Sequence, residues 1–370
     1  MRLVIAPDSF KGSLTAREAA EALRDGWLSV RPGDEIVLAP MADGGEGSLD
    51  AFEAAVPGAR RQPVMAVGPD DQPVLAHWLL LPPTPELPGG TGLVELAATS
   101  GITLMRSGLR PFDAHTFGLG QAIRAAVTLG VSRLLIAVGG SASTDGGVGA
   151  LSAMGVRLTD ASGRPVPHGN LGAGAVERVA FDEAVPLPPA GAIVLTDVDS
   201  PLLGPRGAAA VFGPQKGAAS PAAVRALEAN LERLVSVLPD GDRLASVPGA
   251  GAAGGAAFGL LAWGATLSPG APAVASALGL ADTITGADLV ITGEGRFDGQ
   301  SEAGKAPAQV AALARAAGVP TALVAGAVEA SVAPFAAAAS LADLAGSTAA
   351  ALAEPARWAR AAGAALARTR

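Results

Sequence analysis

Residues 1–14 read MRLVIAPDSFKGSL, and the pattern of this stretch indicates the fold of the chain. The apolar run at residues 3–6 predicts a short β-strand. Thr15 follows as an N-cap, and Glu18 completes a capping box for a helix that extends to about residue 30. A strand that leads through a polar loop into a helix is typical of a parallel α/β sheet, in which such loops bind ligands.

Short apolar runs alternate with alanine-rich helical segments along the rest of the chain, which again favours an α/β protein. We predict further strands at residues 35–38, 74–81, 93–96, 134–138, 192–195, 289–292 and 321–324, and helices at residues 47–55, 118–129, 221–238 and 308–317. Further alanine-rich helices are predicted up to the C-terminus.

The first and last strand–helix units resemble each other, which predicts a two-domain α/β fold. A discontinuous parallel-sheet domain would comprise residues 1–60 and 285–370, and a second α/β domain of residues 61–284 would be inserted into it. We expect the active site in the cleft between these domains, where ligands commonly bind.

Composition excludes several classes of protein. The chain is 49% hydrophobic and 16% charged, so it carries too much apolar surface for a disordered protein. A net charge of −8 argues against nucleic acid as a partner. The absence of cysteine excludes disulfides, thiol catalysis and cysteine-ligated zinc. The three histidines (His77, His115 and His168) lie far apart in sequence, without the spacing of a histidine-built metal site.

Two stretches bear on localisation. The first apolar run is too short for a signal peptide and soon meets Asp8, so we expect a cytoplasmic protein. Residues 244–281 contain no charged residue, but prolines interrupt them, so buried core is a better interpretation than a membrane span. The oligomeric state stays open, and a homodimer is one arrangement.

Five predicted strands lead into loops that combine acidic residues with glycine. The acidic residues are Asp8, Asp43 with Glu46, Asp145, Asp197 with Asp199, and Glu294 with Asp298. Glycine lets backbone amides approach an anion, while carboxylates can face a cation. Aspartate and glycine also form ordinary turns, but their occurrence at five strand ends favours a site for phosphate and metal.

The cations strengthen this interpretation. Only three of the 26 are lysines (Lys11, Lys216 and Lys305), and each adjoins a glycine. A compact ammonium group suits a phosphate-binding loop in which the larger arginine fork would not fit. Arg206 and Arg296 are further candidates in glycine-containing loops.

Two partial motifs leave alternatives open. Residues 249–254 match the dinucleotide pattern GxGxxG without following a convincing strand, which keeps an NAD(P)-dependent hydroxy-acid dehydrogenase as an alternative. Residues 299–306 nearly spell a P-loop, but Ala306 replaces the magnesium-binding Ser or Thr, so only Lys305 is retained as a phosphate contact. A non-catalytic two-domain protein that binds sugar acids is the third alternative.

Together these loops resemble the type I glycerate kinase family. The resemblance is carried, in order along the chain, by IAPDSFKGSL at 5–14, PMADGGEG at 40–47, GGSASTDGG at 139–147, DVDSPLLGPRGA at 197–208, VFGPQKGA at 211–218, PGAGAAGG at 248–255, DLVITGEGR at 288–296 and GKAP at 304–307. Ser143 and Thr144 stand where the family more often has Thr-Asn, and Ser200 where it often has Asn.

The resemblance implies that ATP phosphorylates D-glycerate at its 2-hydroxyl with Mg²⁺, giving 2-phosphoglycerate and ADP. The resemblance also implies that the discontinuous domain is Rossmann-like and that the second α/β domain is distinct from it. ATP and glycerate are the expected partners, with neither nucleic acid nor membrane. Asp197 or Asp8 is the candidate base, and Lys11 would neutralise the transferring phosphoryl group. The full set of predicted site residues is: catalytic Lys11, Asp197 and Asp8; substrate-binding Ser9, Asp43, Gly44, Glu46, Arg206, Lys216 and Arg296; nucleotide-binding Gly139, Gly140, Ser141, Ser143, Thr144, Asp145 and Lys305; metal-binding Glu294 and Asp298.

Overall fold

The computed structural model describes residues 1–10, 12–106, 108–298 and 305–370, which fold into two compact units. The first unit comprises residues 1–43, 50–57 and 269–370, and the second comprises residues 44–49 and 58–268. Residues 269–284, predicted for the inserted domain, thus belong to the first unit. The predicted α/β fold class is confirmed.

The strands are β1 Arg2–Pro7, β2 Glu35–Leu38, β3 Arg60–Val67, β4 Pro73–Leu81, β5 Thr91–Glu95, β6 Arg133–Ala137, β7 Arg157–Thr159, β8 Arg178–Ala180, β9 Ala192–Leu195, β10 Thr266–Ser268, β11 Leu289–Phe297, β12 Thr321–Val328 and β13 Ala337–Ser340. The predicted strands are confirmed, most with ends that differ by a few residues.

The α-helices are α1 Ala16–Leu28, α2 Ser48–Ala55, α3 Leu96–Ser100, α4 Phe117–Leu129, α5 Val148–Ala153, α6 Gly169–Ala175, α7 Ala208–Phe212, α8 Pro221–Val237, α9 Gly241–Ala245, α10 Ala256–Trp263, α11 Gly270–Ala277, α12 Leu280–Ile284, α13 Ala306–Ala316, α14 Leu341–Ala345, α15 Thr348–Ala353 and α16 Pro355–Arg368. Short 3₁₀ helices lie at Ile102–Leu104, Pro214–Lys216 and Ala252–Gly255.

A parallel sheet of order β13-β12-β11-β1-β2 forms the centre of the first unit. Leu3 and Ile5 of β1 are fully buried, in one core cluster with residues of α1 and α16. The capping box that starts α1 is confirmed, since the Thr15 hydroxyl accepts the Glu18 N–H at 3.1 Å and the Glu18 carboxylate accepts the Thr15 N–H at 2.9 Å. The pairing of β1 with β11 sets Pro7 beside Gly293, and this register positions the groups described below.

The second unit contains a mixed sheet of order β10-β9-β6-β5-β4-β3. Its strands β10, β9, β6 and β5 run parallel, while β4 and β3 are antiparallel to their neighbours. The strands β7 and β8 form a separate antiparallel pair. Phe258 and Leu260 from the uncharged stretch are fully buried, as predicted for core residues. Within the described ranges no helix is long and apolar enough to cross a membrane.

The strands β3, β7, β8, β10 and β13 were not predicted from the sequence, and β13 lies where helix was expected. Its sequence is Ala-Ala-Ala-Ser, and alanine favours helices over strands, so the segment was predicted to be helical. It is an edge strand that pairs in parallel with β12 through Ala322 and Ala337. Pairing with an existing strand therefore decides its conformation.

Helices α1 and α16 cross at glycine residues. A Cβ atom at Gly363 would overlap the carbonyl oxygen of Leu23, and one at Gly26 would overlap the carbonyl oxygen of Arg360. The two backbones thus approach each other more closely than any larger residue allows. This crossing joins the N-terminal and C-terminal segments of the first unit.

Substitution Gly363→Ala should therefore destabilise the protein. Alanine is the better helix former by about 1 kcal/mol, but the overlap with Leu23 should outweigh this and lower the free energy of unfolding by about 1–3 kcal/mol. Gly33→Ala is the matched control, because a Cβ at Gly33 meets no atom within 4 Å. Urea unfolding followed by circular dichroism would measure both variants, and equal midpoints would contradict the crossing.

Candidate active site

A cavity of about 320 Å³ lies in the first unit where β1 and β11 end. Seven of the predicted site residues line it: Asp8, Ser9, Asp43, Glu294, Arg296, Asp298 and Lys305. In a parallel sheet the carboxyl ends of neighbouring strands meet at one edge, which is where such sheets bind ligands. Residues that are almost 300 positions apart in sequence are brought together in this way.

The four carboxylates of the cavity are placed by the central strands. The Asp8 N–H donates to the Gly293 carbonyl at 2.8 Å, so Asp8 and Glu294 extend from adjacent strands, and both are less than 9% exposed. The Met41 N–H donates to the Pro7 carbonyl at 2.8 Å and so holds the segment before Asp43 beside β1. Carboxylate oxygens are the ligands that Mg²⁺ prefers, so this set of donors fits a magnesium ion.

Two cations line the same cavity among the residues that the structure describes. Arg296 is 62% exposed, and its Nη1 lies 3.6 Å from a carboxylate oxygen of Glu329. Lys305 occupies the N-cap position of α13, where the helix dipole and the unpaired amides favour an anion. The cavity therefore combines groups that can bind a divalent cation with groups that can bind phosphate or carboxylate.

The cavity also has an apolar wall that the sequence analysis missed. It is formed by residues of the last three helices and their ends, namely Leu341, Thr348, Ala351, Leu352 and Pro355. These helices were predicted, but small and aliphatic side chains in an alanine-rich region carry no pattern that marks a binding site. Only the packing of the helices against the sheet reveals their position.

A second group of predicted residues lies in the second unit, in the glycine-rich loop of residues 139–147 that follows β6. Gly139 packs against the backbone of Gly45 with no room for a side chain, and the side chain of Glu46 lies beside Gly140. Gly140 is exposed, whereas Ser143, Thr144 and Asp145 are fully buried. The accessible part of the loop is thus its first part. Gly44, in the neighbouring segment, is buried.

The Asp145 carboxylate holds this loop from within. One of its oxygens accepts hydrogen bonds from the Thr116 N–H at 2.9 Å, the Thr116 hydroxyl at 2.8 Å and the Gly149 N–H at 3.1 Å. The other accepts the Gly147 N–H at 3.1 Å. Asp145 therefore acts on the loop's shape, and Thr116, which no sequence pattern indicated, is its main partner.

Lys216 lies beneath the same loop. Its Nζ donates to the Ser141 hydroxyl and to the Ser143 carbonyl, both at 2.6 Å, and the residue is 2% exposed. Burial lowers the pKa of Lys216 to about 7, against the opposing effect of the Asp145 charge. The hydroxyls of Ser143 and Thr144 are buried and have no hydrogen-bond partner among the residues that the structure describes.

The remaining predicted residues are not among the described residues that line the cavity. Asp197, after β9, and Arg206, before α7, are exposed in the second unit. Lys11 lies outside the described residues. The roles of all three stay predictions.

In the GxGxxG match at residues 249–254, a Cβ at Gly254 would overlap the Ser143 carbonyl, so this glycine packs against the loop.

His115 and His168 are neighbours in space, although they are distant in sequence. Their ring centroids are 4.6 Å apart, and one Asp71 oxygen lies 3.1 Å from His115 Nε2 and 3.7 Å from His168 Nδ1. The Phe117 N–H donates to His115 Nδ1 at 3.2 Å, so the neutral ring carries its proton on Nε2, which donates to Asp71. A ligating histidine needs the reverse arrangement, with a bare nitrogen toward the metal, so the cluster does not fit a metal ion.

Carboxylates, cations and a glycine-rich loop at strand ends are the groups that phosphoryl-transfer enzymes use. The sequence profile of the glycerate kinase family matches residues 3–370. A glycerate kinase of Halalkalibacterium halodurans is 40% identical over 86% of this chain and 83% of its own length, and a glycerate 2-kinase of Escherichia coli is 39% identical over 85% and 82%.

A crystal structure of a protein assigned as glycerate kinase 2, from Salmonella typhimurium LT2, superposes with a TM-score of 0.85 at 35% identity, covering 100% of this chain and 98% of that one. The chain therefore belongs to the glycerate kinase family. The predicted resemblance is confirmed. Membership of a kinase family supports neither of the two alternatives left open by the sequence, the hydroxy-acid dehydrogenase and the non-catalytic binding protein.

The buried Lys216 predicts an unusual dependence of stability on pH. Above about pH 7 the folded protein holds this lysine neutral, whereas the unfolded chain keeps it charged up to its ordinary pKa of 10.5. The unfolded state then binds more protons than the folded state. The free energy of unfolding therefore rises with pH, by up to about 1.4 kcal/mol per pH unit.

Lys216→Met lacks this titration, so the stability of the wild type relative to Lys216→Met should increase from neutral pH into the alkaline range. Urea unfolding of both proteins at several pH values measures the difference. Parallel curves would show that Lys216 is not the source of the effect.

Proposed function

We propose that this chain transfers the γ-phosphoryl group of ATP to the 2-hydroxyl of D-glycerate, giving 2-phosphoglycerate and ADP. The observation that carries the proposal is the cavity of the first unit, where four carboxylates, Arg296 and Lys305 line one space in a member of the glycerate kinase family. The Escherichia coli relative that is named a glycerate 2-kinase supports the choice of hydroxyl.

Asp8 is the base that the geometry favours. It lines the cavity and is 7% exposed, so its carboxylate can meet a bound substrate while most of it is kept from water. Asp8 accepts the proton of the 2-hydroxyl, the freed oxygen forms a bond to the γ-phosphorus, and the bond between that phosphorus and ADP breaks with its electron pair leaving on ADP. Asp197, exposed in the second unit, stays the alternative base.

The other groups of the cavity neutralise and position charge. Arg296 binds the glycerate carboxylate, assisted by Ser9 and Asp43 at the hydroxyl groups, and Lys305 binds a nucleotide phosphate at the start of α13. Glu294 and Asp298 would hold Mg²⁺, which neutralises phosphate charge when bound. Positioning and charge neutralisation supply most of the rate in phosphoryl transfer, so these residues matter as much as the base.

The glycine-rich loop of the second unit is proposed as the cradle for ATP phosphates. The exposed backbone of Gly140 can approach a phosphate, because this residue has no side chain in the way, whereas Gly139 before it is half-buried. Ser141, Ser143, Thr144 and Asp145 then act from beneath, with Lys216 bonded to Ser141 and Ser143. The nucleotide-binding role of the buried members is thus to keep the loop's shape.

The first test is turnover. Purified protein with ATP, Mg²⁺ and D-glycerate should release ADP in a coupled assay only when glycerate is present, and phosphorus NMR should find the phosphate on the 2-oxygen. Phosphate on the 3-oxygen would overturn the proposed position of transfer. Folded protein that releases no ADP would overturn the proposed reaction.

Asp8→Asn should lower kcat by about 100-fold or more, the usual contribution of a positioned base, with little change in thermal stability. Glu35→Gln is the matched control, because Glu35 is a 69% exposed carboxylate of the same sheet, paired with Arg2 at 3.7 Å. Steady-state kinetics of both variants with glycerate varied would check this. A loss of activity shared by Glu35→Gln, or normal turnover in Asp8→Asn, would remove Asp8 from this role.

A further inference from the structure

We propose that His115 is a positioning residue for the glycine-rich loop. Its neutral imidazole fixes the first turn of α4, and this turn holds Asp145 in the loop. Protonation of His115 in acid therefore loosens the loop. The proposal rests on the proposed function only in taking residues 139–147 as part of the active site. It assigns a task to the Asp71–His115–His168 cluster, which the reaction itself does not use.

The first step is the hydrogen bond from Phe117 to His115. Phe117 is the first residue of α4, and a helix leaves its first N–H groups without partners in the helix itself. His115 is fully buried, and its Nδ1 accepts this N–H at 3.2 Å while its Nε2 faces Asp71 at 3.1 Å. The ring thus links the turn that contains Asp71 to the start of α4.

The second step leads from this turn to the loop. Thr116 lies between His115 and Phe117, and both its N–H and its hydroxyl donate to Asp145. The Thr116 hydroxyl also accepts the Ala150 N–H at 2.9 Å. A Cβ at Gly149 would lie 2.6 Å from the Phe117 nitrogen, so α5 packs directly on this backbone. Because these groups are in direct contact, a displacement of Thr116 also displaces Asp145 and α5.

The third step is protonation. An imidazolium carries N–H groups on both nitrogens, so a charged His115 would point one N–H at the Phe117 N–H, and the hydrogen bond would be lost. The charged or titratable groups that face His115 are Asp71, His168 and Asp145. Burial is the main effect that lowers the pKa of His115 and His168 is the second, whereas the carboxylates of Asp145 and Asp71 raise it. The ring therefore stays neutral at neutral pH, and its hydrogen bond with the Phe117 N–H is lost only in acid.

Two substitutions separate the hydrogen bond from the charge. His115→Asn keeps an acceptor for the N–H two residues ahead, as in an ordinary Asx-turn, but cannot titrate. His115→Leu removes both properties. The KM for ATP of each protein is measured between about pH 5.5 and pH 8. The KM of the wild type is then divided by the KM of His115→Asn at the same pH, which cancels the titration of ATP itself.

That ratio should rise by about fivefold or more in acid, a coupling typical of linked sites, while kcat changes less. His115→Leu should show a raised KM at every pH, and His115→Asn should restore the wild-type value at the upper end. A ratio that does not depend on pH, or a His115→Asn protein as impaired as His115→Leu at the upper end, would overturn the positioning role.

Hydrogen exchange gives a readout that does not need turnover. After correction for intrinsic rates, the amides of Gly147, Gly149 and Ala150 should lose protection in acid in the wild type and keep it in His115→Asn. This result in a protein without kinase activity would leave the positioning role standing and overturn only the proposed function. Protection in the wild type that is independent of pH would overturn the positioning role whatever the activity.

The neighbours of His115 should shift the acid transition in opposite directions. Asp71→Asn removes a carboxylate that favours the imidazolium and should move the transition to lower pH, whereas His168→Gln removes a competing ring and should move it to higher pH. Shifts in the same direction would contradict the proposal. Titration with Zn²⁺ supplies a last check, since stoichiometric binding that His168→Gln abolishes would make the cluster a metal site and overturn its proposed role.

Discussion

The charged groups of the cavity in the first unit depend on the register in which β1 pairs with β11. Because Pro7 lies beside Gly293, the next residues on the two strands are Asp8 and Glu294, and both carboxylates extend into one space. Successive residues of a strand point to opposite faces, so a shift of one residue would turn one of these acids away from the other. Asp298 directly follows β11 and lines the same cavity.

Local signals made much of this fold predictable. The capping box of Thr15 and Glu18 acts within one helical turn, and short apolar runs between alanine-rich segments predicted most strands. The acids after β1 and β11 could be proposed as a site because parallel strands end at a common edge. Strand β13 could not be predicted, since its pairing with β12 overrides the preference of alanine. Nor could the contact between His115 and His168, which long-range packing creates without any sequence spacing.

One sequence pattern proved to have two structural uses. Acids among glycines occur at the end of β11 and after β6, and the same chemistry was predicted for both places. Glu294 and Asp298 line a cavity, whereas Asp145 is fully buried and accepts four hydrogen bonds from the protein. A carboxylate that ligates an ion and a carboxylate that braces a turn prefer the same neighbours, so composition cannot separate them. Their surroundings separate them, because Glu294 and Asp298 border a cavity whereas Asp145 is enclosed by the groups that donate to it.

The discontinuity of the first unit has a consequence for synthesis on the ribosome. After β1 and β2 have been made, about 250 residues must still be translated before β11 can pair with the other edge of β1. At about 5–20 residues per second this takes roughly 10–50 s, during which the open edge of β1 can pair with other chains. Residues 58–268 are complete before β11 emerges, so they can fold first. The first strand of the nascent chain is therefore exposed to aggregation for longer than the strands of residues 58–268, which can pair with one another before β11 is made.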